Sequence, residues 1–492
     1  MIKFKKFYVT TAIDYVNAEI HIGHAYQKVV ADVLSRWNKI LGNQVFFSTG
    51  TDEHGKKVSL SAQKAGKSPK EFVDEISERN KQAWKVLNVD YDRFIRTTDE
   101  DHKKTVLEFI DKINKNGDIY KGKYTGRYCV GCERYYTETE MPGKVCSIHK
   151  EPLEVISEDT YFFRLSKYQK FLLDLYEKNP EFVLPEERRN EMVNRVKEGL
   201  KDLCITRTSF DWGIPFPLEK GYIVYVWFDA LINYYTAVKD KDFWPADVHL
   251  LGKDNGWFHA VIWPAMLKSA GIELPKTVFI HGFLTFNGSK ISKSLGNAIS
   301  PVTLAEKYDT DSIRYFLMRE IPFGQDGDFS EESLVSRHNS ELADTLGNLV
   351  NRVLVLVEKN FGGIVPKSGE KDKLAELAIE TPEKVKASIE DYQFHNALND
   401  IWHLISEANK YINENKVWEI KDKKKLGGIM YNLLETLRFV SILTYPFIPE
   451  TAEKISEQIG LEKNFSYDDL KWGLLKEGIK IRRGEVLFKK IK

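Results

Sequence analysis

The chain has few cysteines and few methionines, and no excess of charge of either sign. Four of its 492 residues are cysteine and six are methionine, while 72 Lys and Arg balance 72 Asp and Glu. So few cysteines exclude the dense disulfide framework of a small secreted protein. The balanced charge gives no net attraction to nucleic acid, although a basic face can be hidden within a neutral total.

Long apolar runs are also scarce. The N-terminal segment is basic and then apolar, but its apolar run is short and strand-like and has no small-residue cleavage site. No stretch has the length that a membrane span needs, so we expect no membrane contact and a cytoplasmic protein. A hydrophobic content of 42% with 29% charged residues is typical of a folded globular chain. Its length suffices for roughly three or four domains.

The most informative motif is His21-Ile-Gly-His24. Strand-like sequence at 4–13 precedes it, and apolar residues at helical spacing follow it at 25–41. A helix N-terminus presents unpaired N–H groups that bind phosphate oxygens, and two histidines there add hydrogen-bond donors. Gly23 lets a base or phosphate approach the backbone closely. Two ordinary surface histidines beside a helix start are the alternative.

A second cluster, at 283–297, holds Lys290 and Lys293 with three serines between two glycines. Both lysines are long enough to reach a pyrophosphate. Adenylate formation is an in-line attack of a carboxylate on the α-phosphorus of ATP, and ammonium groups near the departing pyrophosphate lower that barrier. A Lys- and Ser-rich loop alone is usually a solvated turn. In this order with the first motif, it indicates ATP-dependent adenylate formation.

The hydrophobic pattern divides the chain into a parallel α/β domain split by an insertion, a lysine-loop region, and a helical bundle with a C-terminal tail. We expect the first α/β half at 1–116 and the insertion at 117–221. The second α/β half is expected at 222–283, the lysine-loop region at 284–345, and the bundle with its tail at 346–492. Strands are expected at 45–50, 222–227, 248–251 and 277–281. Ser68, followed by Pro69 and Glu71, predicts a helix start with a capping box.

Three of the four cysteines lie between positions 129 and 146, within the predicted insertion. Cys129, Cys132, Cys146 and His149 form the pattern C-x2-C-x13-C-x2-H, which suits a closed tetrahedral zinc site. A closed site leaves no position for a reactive water, so we expect one structural Zn²⁺ per chain. A coincidental pattern or a redox-active cysteine pair is the alternative. Cys204 stands apart and is expected to be a small buried hydrophobe.

The order of these motifs resembles that of the class I aminoacyl-tRNA synthetases and, within them, the methionyl-tRNA synthetase family. The resemblance covers nearly the whole chain, and leucyl, isoleucyl, valyl and cysteinyl relatives share the first two motifs but not the full set. Its further blocks lie at 10–17, 49–55, 225–234, 258–259, 263–266 and 344–352. It implies a Rossmann-like catalytic domain with an inserted zinc-bearing connective domain, a stem-contact region at 284–345, and an α-helical anticodon-binding domain.

The resemblance also implies the ATP site. The catalytic groups would be His21, His24, Lys290 and Lys293. The ATP-binding residues would be Gly23, Gly252, Asp254, Leu284 and Lys293. A carboxylate accepts two hydrogen bonds, which suits Asp254 to the ribose hydroxyls. Mg²⁺ is expected to enter with ATP.

The implied methionine pocket is largely aromatic and apolar. Its residues would be Ala12, Ile13, Tyr15, Asp52, Trp227, Ala230, Leu231, Tyr234, Asn255, Phe258 and His259. Asp52 would pair with the substrate ammonium, and a tyrosine or histidine hydrogen could point at the thioether sulfur. Without the family, such aromatics would be interpreted as core packing. Asn255 stands where the family usually has isoleucine, and Asp14 where it usually has proline or tyrosine, so a polar side chain at either position could alter amino-acid selection. We expect Asn255 to turn outward or to bond a neighbour, which leaves methionine preferred.

In the helical domain, Asn348, Arg352 and Trp418 match the anticodon readers of the family. A Trp face stacks on an unpaired base while Asn and Arg bond base edges; core packing of Trp418 is the alternative. The implied partners are L-methionine, ATP and methionine tRNA, both initiator and elongator, and a monomer is expected because no dimerising C-terminal module follows. Competing hypotheses are a synthetase paralogue with another amino-acid preference and a non-catalytic tRNA-binding paralogue. The intact histidines and lysines argue against the second.

Overall fold

A computed structural model describes most of the chain. The described residues are 5–17, 20–130, 134–136, 144–146, 150–208, 210–286, 288–290 and 299–492. Three residues with predicted roles, Cys132, His149 and Lys293, lie outside them, and the side chain of Lys290 does too.

One parallel sheet organises the catalytic half of the described chain. Its strands are β1 (Lys6–Thr11), β2 (Asp14–Tyr15), β3 (Gln44–Asp52), β4 (Arg93–Arg96), β8 (Val183–Leu184), β12 (Val248–Gly252) and β13 (Thr277–His281). Their order is β2-β3-β1-β12-β13-β8, with β4 on β3, and every pairing is parallel. The prediction of one sheet split by an insertion is confirmed, as are the strands expected at 45–50, 248–251 and 277–281.

Two segments near the insertion depart from the prediction. The strand expected at 222–227 is wrong: β11 (Ile223–Val224) pairs antiparallel with β10 (Thr206–Arg207), and the helix α7 (Val226–Ala230) follows at once. A short apolar run has the same composition in a buried helix as in a buried strand, so periodicity could not separate them. The strand β8 lies inside the predicted insertion and yet joins the main sheet beside β13. The insertion boundaries stay a prediction.

Helices cover the sheet. Those of the catalytic half are α1 (Ile22–Ile40), α2 (Lys56–Lys64), α3 (Pro69–Val86), α4 (Glu100–Lys115), α8 (Asn233–Thr236) and α9 (Trp263–Ser269). A π-helical turn, Phe258–Ile262, leads into α9. The capping box predicted for α3 is confirmed, because Ser68 accepts from the Glu71 N–H and Glu71 accepts from the Ser68 N–H.

The insertion carries its own antiparallel sheet and a helical portion. The sheet runs in the order β6 (Arg134–Tyr136), β5 (Ile119–Cys129), β7 (Glu154–Phe163) and β9 (Leu203–Cys204). The helices are α5 (Gln169–Lys178), after a 3₁₀ turn at Leu165–Tyr168, and α6 (Glu186–Lys197).

Beyond the sheet, a small β-structure leads into helices. Its strands are β14 (Leu284–Phe286), β15 (Ser289–Lys290) and β16 (Gly327–Phe329). The helices α10 (Pro301–Lys307), α11 (Thr310–Glu320) and α12 (Glu331–Arg337) follow, with a π-helical stretch at His338–Gly347. The predicted bundle is confirmed as α13 (Asn348–Phe361), α14 (Lys373–Glu390), α15 (Phe394–Glu414), α16 (Lys423–Thr444) and α17 (Pro449–Gln458), and a 3₁₀ turn lies at Tyr467–Asp469 in the tail.

The helix α16 corrects one expectation. Judged by length and composition alone, this helix could cross a membrane, although no such stretch was expected. The expectation failed because polar and charged residues, among them Asn432, Glu435 and Arg438, interrupt its apolar residues, so no continuous run is visible. In its most apolar window 94% of the residues are buried, so it is the core helix of the bundle.

A buried arginine connects the catalytic half to the bundle. Arg314, on α11, is fully buried, and its Nη2 lies 2.6 Å from Oδ2 of Asp32 on α1. It also donates to the carbonyls of Pro446 and Phe447, which follow α16. Through Arg314, the middle of α1 is therefore connected both to α11 and to the segment that follows α16.

Candidate active site

The two histidines cap the N-terminus of α1. His21 is the N-cap residue, and its Nδ1 accepts from the Gly23 N–H at 3.2 Å. The Nδ1 of His24 accepts from the His21 N–H at 3.2 Å, which completes a reciprocal capping box. In a neutral imidazole that accepts at Nδ1, the proton is on Nε2. Both rings therefore carry their proton on Nε2.

The His24 imidazole is neutral near pH 7. Burial, with the positive charge of Lys28 adding to it, lowers the pKa of His24 to about 4. A neutral ring with its proton on Nε2 is compatible with the predicted role of a hydrogen-bond donor.

Gly23 packs closely against the His21 ring. A Cβ at this position would lie 3.0 Å from the Cε1 and Nδ1 atoms of that ring, so the ring would have to shift by a few tenths of an ångström to accept a larger residue. The close approach of a base or phosphate to this backbone stays a prediction.

A cavity of about 470 Å³ opens beside this helix terminus. Ala12 follows β1, Asp254 follows β12 and His281 ends β13, and all three line it. Within the sheet, β1 lies between β3 and β12. The chain continues from β1 to its neighbour β3, and the later strands β12 and β13 are added on the opposite side of β1. The cavity therefore lies at a topological switch point, where the order of the strands reverses. Open α/β sheets bind their ligands in such crevices at the carboxyl ends of the strands.

Nearly all the predicted site residues within the described part of the chain meet in this one cavity. Those in its wall are Ala12, Ile13, Tyr15, His21, Gly23, His24, Asp52, Trp227, Ala230, Leu231, Tyr234, Gly252, Asp254, Asn255, His259 and Leu284. Phe258 is not in the wall: its ring stacks on that of Trp227, with centroids 3.8 Å apart and planes 5° from parallel. It supports the wall from behind.

At the amino-acid end, Tyr234 and His259 form a directed hydrogen bond. The carbonyl of Asn255 lies 3.0 Å from Nδ1 of His259, and a carbonyl can only accept, so Nδ1 carries the proton. Burial lowers the pKa of His259 to about 4, so its Nε2 is an acceptor. The Tyr234 hydroxyl, 2.6 Å away, therefore donates to it. The Tyr234 hydrogen is bonded to His259 and the His259 hydrogen to the backbone, and the contact of either with a thioether sulfur stays a prediction.

Two carboxylates lie in the same wall. Asp52 ends β3 and is 6% exposed, a position that suits the predicted contact with an ammonium group. Asp14, on β2, is 5% exposed and lies 2.8 Å from Nζ of Lys28, which is fully buried. Burial raises the pKa of Asp14 and lowers that of Lys28, and the attraction between them opposes both shifts. This partner of Asp14 was not foreseen.

At the nucleotide end, the lysine-loop hairpin returns to the cavity. Leu284 and Thr285 line the cavity from β14, and the backbone of Lys290 on β15 pairs with Thr285. A Cβ at Gly252 would lie 3.0 Å from Oδ1 of Asp254, so a glycine there leaves room for the carboxylate. The hairpin thus places the backbone of Lys290 beside a residue of the cavity wall, while residues 291–297 of the lysine loop lie outside the described residues.

Sequence reasoning missed several residues of the wall. These are Gln27, Val226, His281, Gly282, Phe283, Thr285 and Asp326, together with Asp14, which was noted only as a departure from the family. His281 could have been found, because it is the last residue of a predicted parallel strand. Gln27 could have been found one turn beyond His24 on the same helix.

Comparison with known proteins decides the family. A family model described as "tRNA synthetases class I (M)" matches residues 7–151 and 138–354, and one described as "Anticodon-binding domain of tRNA ligase" matches 374–481. The methionine--tRNA ligase of Caldanaerobacter subterraneus subsp. tengcongensis is 48% identical over 99% of this chain and 79% of its own length. The chain belongs to the methionyl-tRNA synthetase family.

Further relatives agree with this assignment. The methionine--tRNA ligase of Thermotoga maritima is 48% identical over 99% of this chain and 80% of its own length. A structure of Mycobacterium tuberculosis methionyl-tRNA synthetase in complex with methionyl-adenylate superposes with a TM-score of 0.95 at 41% identity, over 99% of this chain and 100% of that one. The apo form of the Mycobacterium tuberculosis synthetase gives 0.88 at 38% identity, over 99% of each chain. The class I synthetase fold, with its parallel sheet and C-terminal helical domain, is thereby established.

The predicted zinc ligands are only partly described. Cys129 ends β5, and it packs with Cys146 in one small buried cluster against Leu153. Cys132 and His149 lie outside the described residues. Two thiols packed in one buried cluster fit half of the donor set of a structural zinc site. Among the described residues, no group of three or more potential metal ligands comes together.

The predicted anticodon readers lie on the surface of the helical domain. Trp418, between α15 and α16, is 60% exposed, which rules out the alternative that it is a core residue. Asn348 begins α13 and is exposed, and Nη2 of Arg352 donates to Oδ1 of Asn413 at 2.6 Å. An indole left in solvent is available to stack on a base.

Proposed function

We propose that this chain activates L-methionine with ATP to methionyl-adenylate and pyrophosphate, and then transfers the methionyl group to the 3′ end of methionine tRNA. One observation carries the proposal: the capped histidine motif and the predicted amino-acid wall share a single cavity at the switch point of the sheet. The names of the relatives and the adenylate bound in the Mycobacterium tuberculosis structure agree with it.

In the first step, an oxygen of the methionine carboxylate attacks the α-phosphorus. The new bond is O–P, and the bond to the bridging oxygen of pyrophosphate breaks, so the electron pair leaves with pyrophosphate. Asp52 would bind the substrate ammonium, and the Nε2–H groups of His21 and His24 would donate to phosphate oxygens. Lys290 and Lys293 would neutralise charge on the departing pyrophosphate, an interaction that is strongest in the transition state. Mg²⁺ bound with ATP would supply further neutralisation of the phosphates.

In the second step, a ribose hydroxyl at the 3′ end of the tRNA attacks the carbonyl carbon of the adenylate. The ester bond forms, the mixed anhydride breaks, and AMP leaves. Gly252, Asp254 and Leu284 would hold the nucleoside through both steps, and Trp418, Asn348 and Arg352 would bind the anticodon.

Cys129, Cys132, Cys146 and His149 would hold one Zn²⁺. Its chemistry would be structural, because four protein ligands close the coordination sphere. We also infer the predicted division into catalytic halves, connective insertion, stem-contact region and anticodon domain. The monomeric state and the cytoplasmic compartment stay predictions.

The direct test of the whole reaction is charging of purified initiator and elongator methionine tRNA. Both should be methionylated in a reaction that requires ATP and methionine together. Charging of neither tRNA, with active controls from a related synthetase, would contradict the proposal.

A second candidate function is that of a synthetase paralogue with a more polar substrate. It is motivated by Asn255 and Asp14, both of which lie in the cavity wall. Under the leading proposal, Asn255→Ile keeps methionine preferred, measured as kcat/KM for methionine relative to leucine and homocysteine. A wild-type preference for a polar amino acid that reverts to methionine in Asn255→Ile would favour the paralogue.

A further inference from the structure

An ion pair buried beside the cavity has no part in the two chemical steps proposed above. Lys28 is fully buried and Asp14 is 5% exposed, and Nζ of the first lies 2.8 Å from Oδ1 of the second. Lys28 is four residues after His24 on α1, so the two side chains lie on the same face of the helix. The pair thus lies directly behind the histidine motif.

Lys28 uses all three of its donor positions. Its Nζ lies 2.8 Å from the carbonyl of Ala12, 2.8 Å from Asp14 and 3.3 Å from Oε1 of Gln27. An ammonium group has three hydrogens, so each is matched by one acceptor. The ring of Trp84, 5.6 Å from Nζ, closes the site on another side.

These bonds join the two ligand-binding parts of the cavity. Residues 12–15 follow β1 and include β2, and they contribute Ala12, Ile13 and Tyr15 to the predicted amino-acid wall. The helix α1 contributes His21 and His24 at the nucleotide end. Lys28 bonds from this helix to both the backbone and a side chain of segment 12–15, so it fixes one part relative to the other.

The neighbouring Gln27 extends the same connection. Its Nε2 donates to the carbonyl of Leu250 at 2.9 Å, and that carbonyl also accepts from the Ala12 N–H at 3.0 Å. Gln27 therefore fixes the opposite side of the same peptide segment. Two adjacent residues of α1 hold Ala12 through its carbonyl and, indirectly, through its amide.

Stability alone does not explain a buried pair of this kind. Removing two charges from water is costly, and well-packed apolar residues of similar volume often serve stability as well or better. The cost is offset only where the geometry is good and every donor and acceptor is satisfied. The three donors of Lys28 are matched, but Oδ2 of Asp14 is buried and has no hydrogen-bond partner among the described residues. What such a pair adds is a defined distance and direction between the elements it joins.

We propose that Lys28 and Asp14 are a positioning pair, which holds the amino-acid segment 12–15 at a fixed distance from the histidine-bearing helix so that the substrate carboxylate is aligned with the α-phosphorus of ATP. The inference rests on the proposed function. In-line attack requires reacting atoms roughly 3–3.5 Å apart, and a misplacement of about 1 Å can cost on the order of 100-fold in rate. Neither residue need touch a substrate to have this effect.

The test compares Lys28→Met, Asp14→Asn and the double variant with the wild type in two assays. ATP–pyrophosphate exchange gives kcat, and quenching of tryptophan fluorescence by methionine gives the Kd for methionine alone, because Trp227 lies in the wall. Each single variant should lose at least about tenfold in kcat while its methionine Kd stays within about threefold. The double variant should lose no more than the single ones, because the two residues act as a unit.

A matched control comes from the same helix. Lys39→Met removes a partly exposed lysine whose Nζ lies 2.9 Å from Asp90, at the far end of α1. It should leave both kcat and Kd unchanged. If Lys28→Met does not fold, as its melting curve would show, the double variant keeps the test intact, since it leaves no uncompensated charge.

The possible outcomes distinguish a failure of the positioning pair from a failure of the proposed function. Folded variants with wild-type kcat, or losses in kcat that multiply in the double variant, would overturn the positioning pair and leave the proposed function standing. A fall in methionine affinity without a fall in kcat would assign the pair to pocket structure and would overturn it too. A wild type without methionine-dependent exchange would overturn the proposed function and, with it, this inference.

Discussion

Tyr234 donates its hydroxyl hydrogen to Nε2 of His259 across 2.6 Å in the wall of the cavity. The direction of this bond follows from the other ring nitrogen, which donates to the carbonyl of Asn255 at 3.0 Å. The histidine is thus held between a tyrosine and the backbone of its own helical turn. Its orientation is fixed before any substrate binds.

Tyr234→Phe should therefore weaken methionine binding. The change leaves the buried Nε2 of His259 without its donor, and an unsatisfied buried polar group costs about 1–3 kcal/mol. We expect KM for methionine to rise by about tenfold or more in ATP–pyrophosphate exchange. Tyr235→Phe is the matched control, since that ring packs against Trp244 and Phe109 instead. An unchanged KM in Tyr234→Phe would show that the hydroxyl does not hold the pocket.

The stability of the protein should fall as the pH is lowered from 7 to 5. Burial lowers the pKa of His24, His259 and His281 to about 4 each, whereas an unfolded histidine titrates at about 6.5. Between these values the unfolded chain binds more protons, so acid favours unfolding. Each histidine contributes up to about 3 kcal/mol that is present above pH 6.5 and lost toward pH 4.

Melting temperatures at pH 7 and pH 5 check this expectation. His281→Gln should show a smaller fall than the wild type, because one of the three titrations is removed. His403→Gln, which changes an exposed histidine of the bundle, should leave the fall unchanged. An equal fall in all three proteins would contradict the assignment of this pH dependence to the buried imidazoles.

Metal analysis should find one zinc per chain. Cys146→Ala should release it and lower the melting temperature, because metal binding at a structural site is coupled to folding. Cys204→Ala, also a buried cysteine of the insertion, should retain the metal, since Cys204 bonds Thr160 and lies outside the predicted ligand set. Protein that is free of zinc, fully active and unchanged in melting would refute the site.

Trp418→Ala should reduce charging of tRNA far more than amino-acid activation. Stacking on a base contributes about 1–3 kcal/mol, so kcat/KM for tRNA should fall by roughly 5- to 150-fold, while exchange stays near the wild-type rate. Ile379→Ala is the control, because Ile379 is another exposed apolar residue of the bundle, at 42% exposure. Equal losses in charging and exchange would instead make the indole a structural element.

The parts of the site that could be predicted depend on local signals. His21 and His24 lie at a helix start because strand-like sequence, a break and helical periodicity follow one another there, and the structure places both in the cap. The strands at 248–251 and 277–281 were predictable for the same reason. Local sequence is enough where one segment determines its own conformation.

The other features of the fold and the site depend on contacts between segments that are distant in the sequence. Nothing local indicates that Lys28 meets Asp14 and Ala12, or that Arg314 meets Asp32 across 282 positions of the chain. The segment 222–227 was predicted wrongly because its apolar composition fits a buried strand and a buried helix equally well. The exposure of Trp418 likewise could not be predicted from its residue type, since Trp is common in cores and on binding surfaces.

Amino-acid-dependent ATP–pyrophosphate exchange is the most direct measurement of the central claim. Each of the twenty standard amino acids would be offered separately to the purified protein and to Lys293→Ala, with Lys307→Ala as a control for a lysine outside the predicted motif. We expect methionine alone to support rapid exchange, Lys293→Ala to lose it with little change in methionine binding, and Lys307→Ala to retain it. Faster exchange with another amino acid, exchange with none, or a wild-type rate in Lys293→Ala would contradict the account.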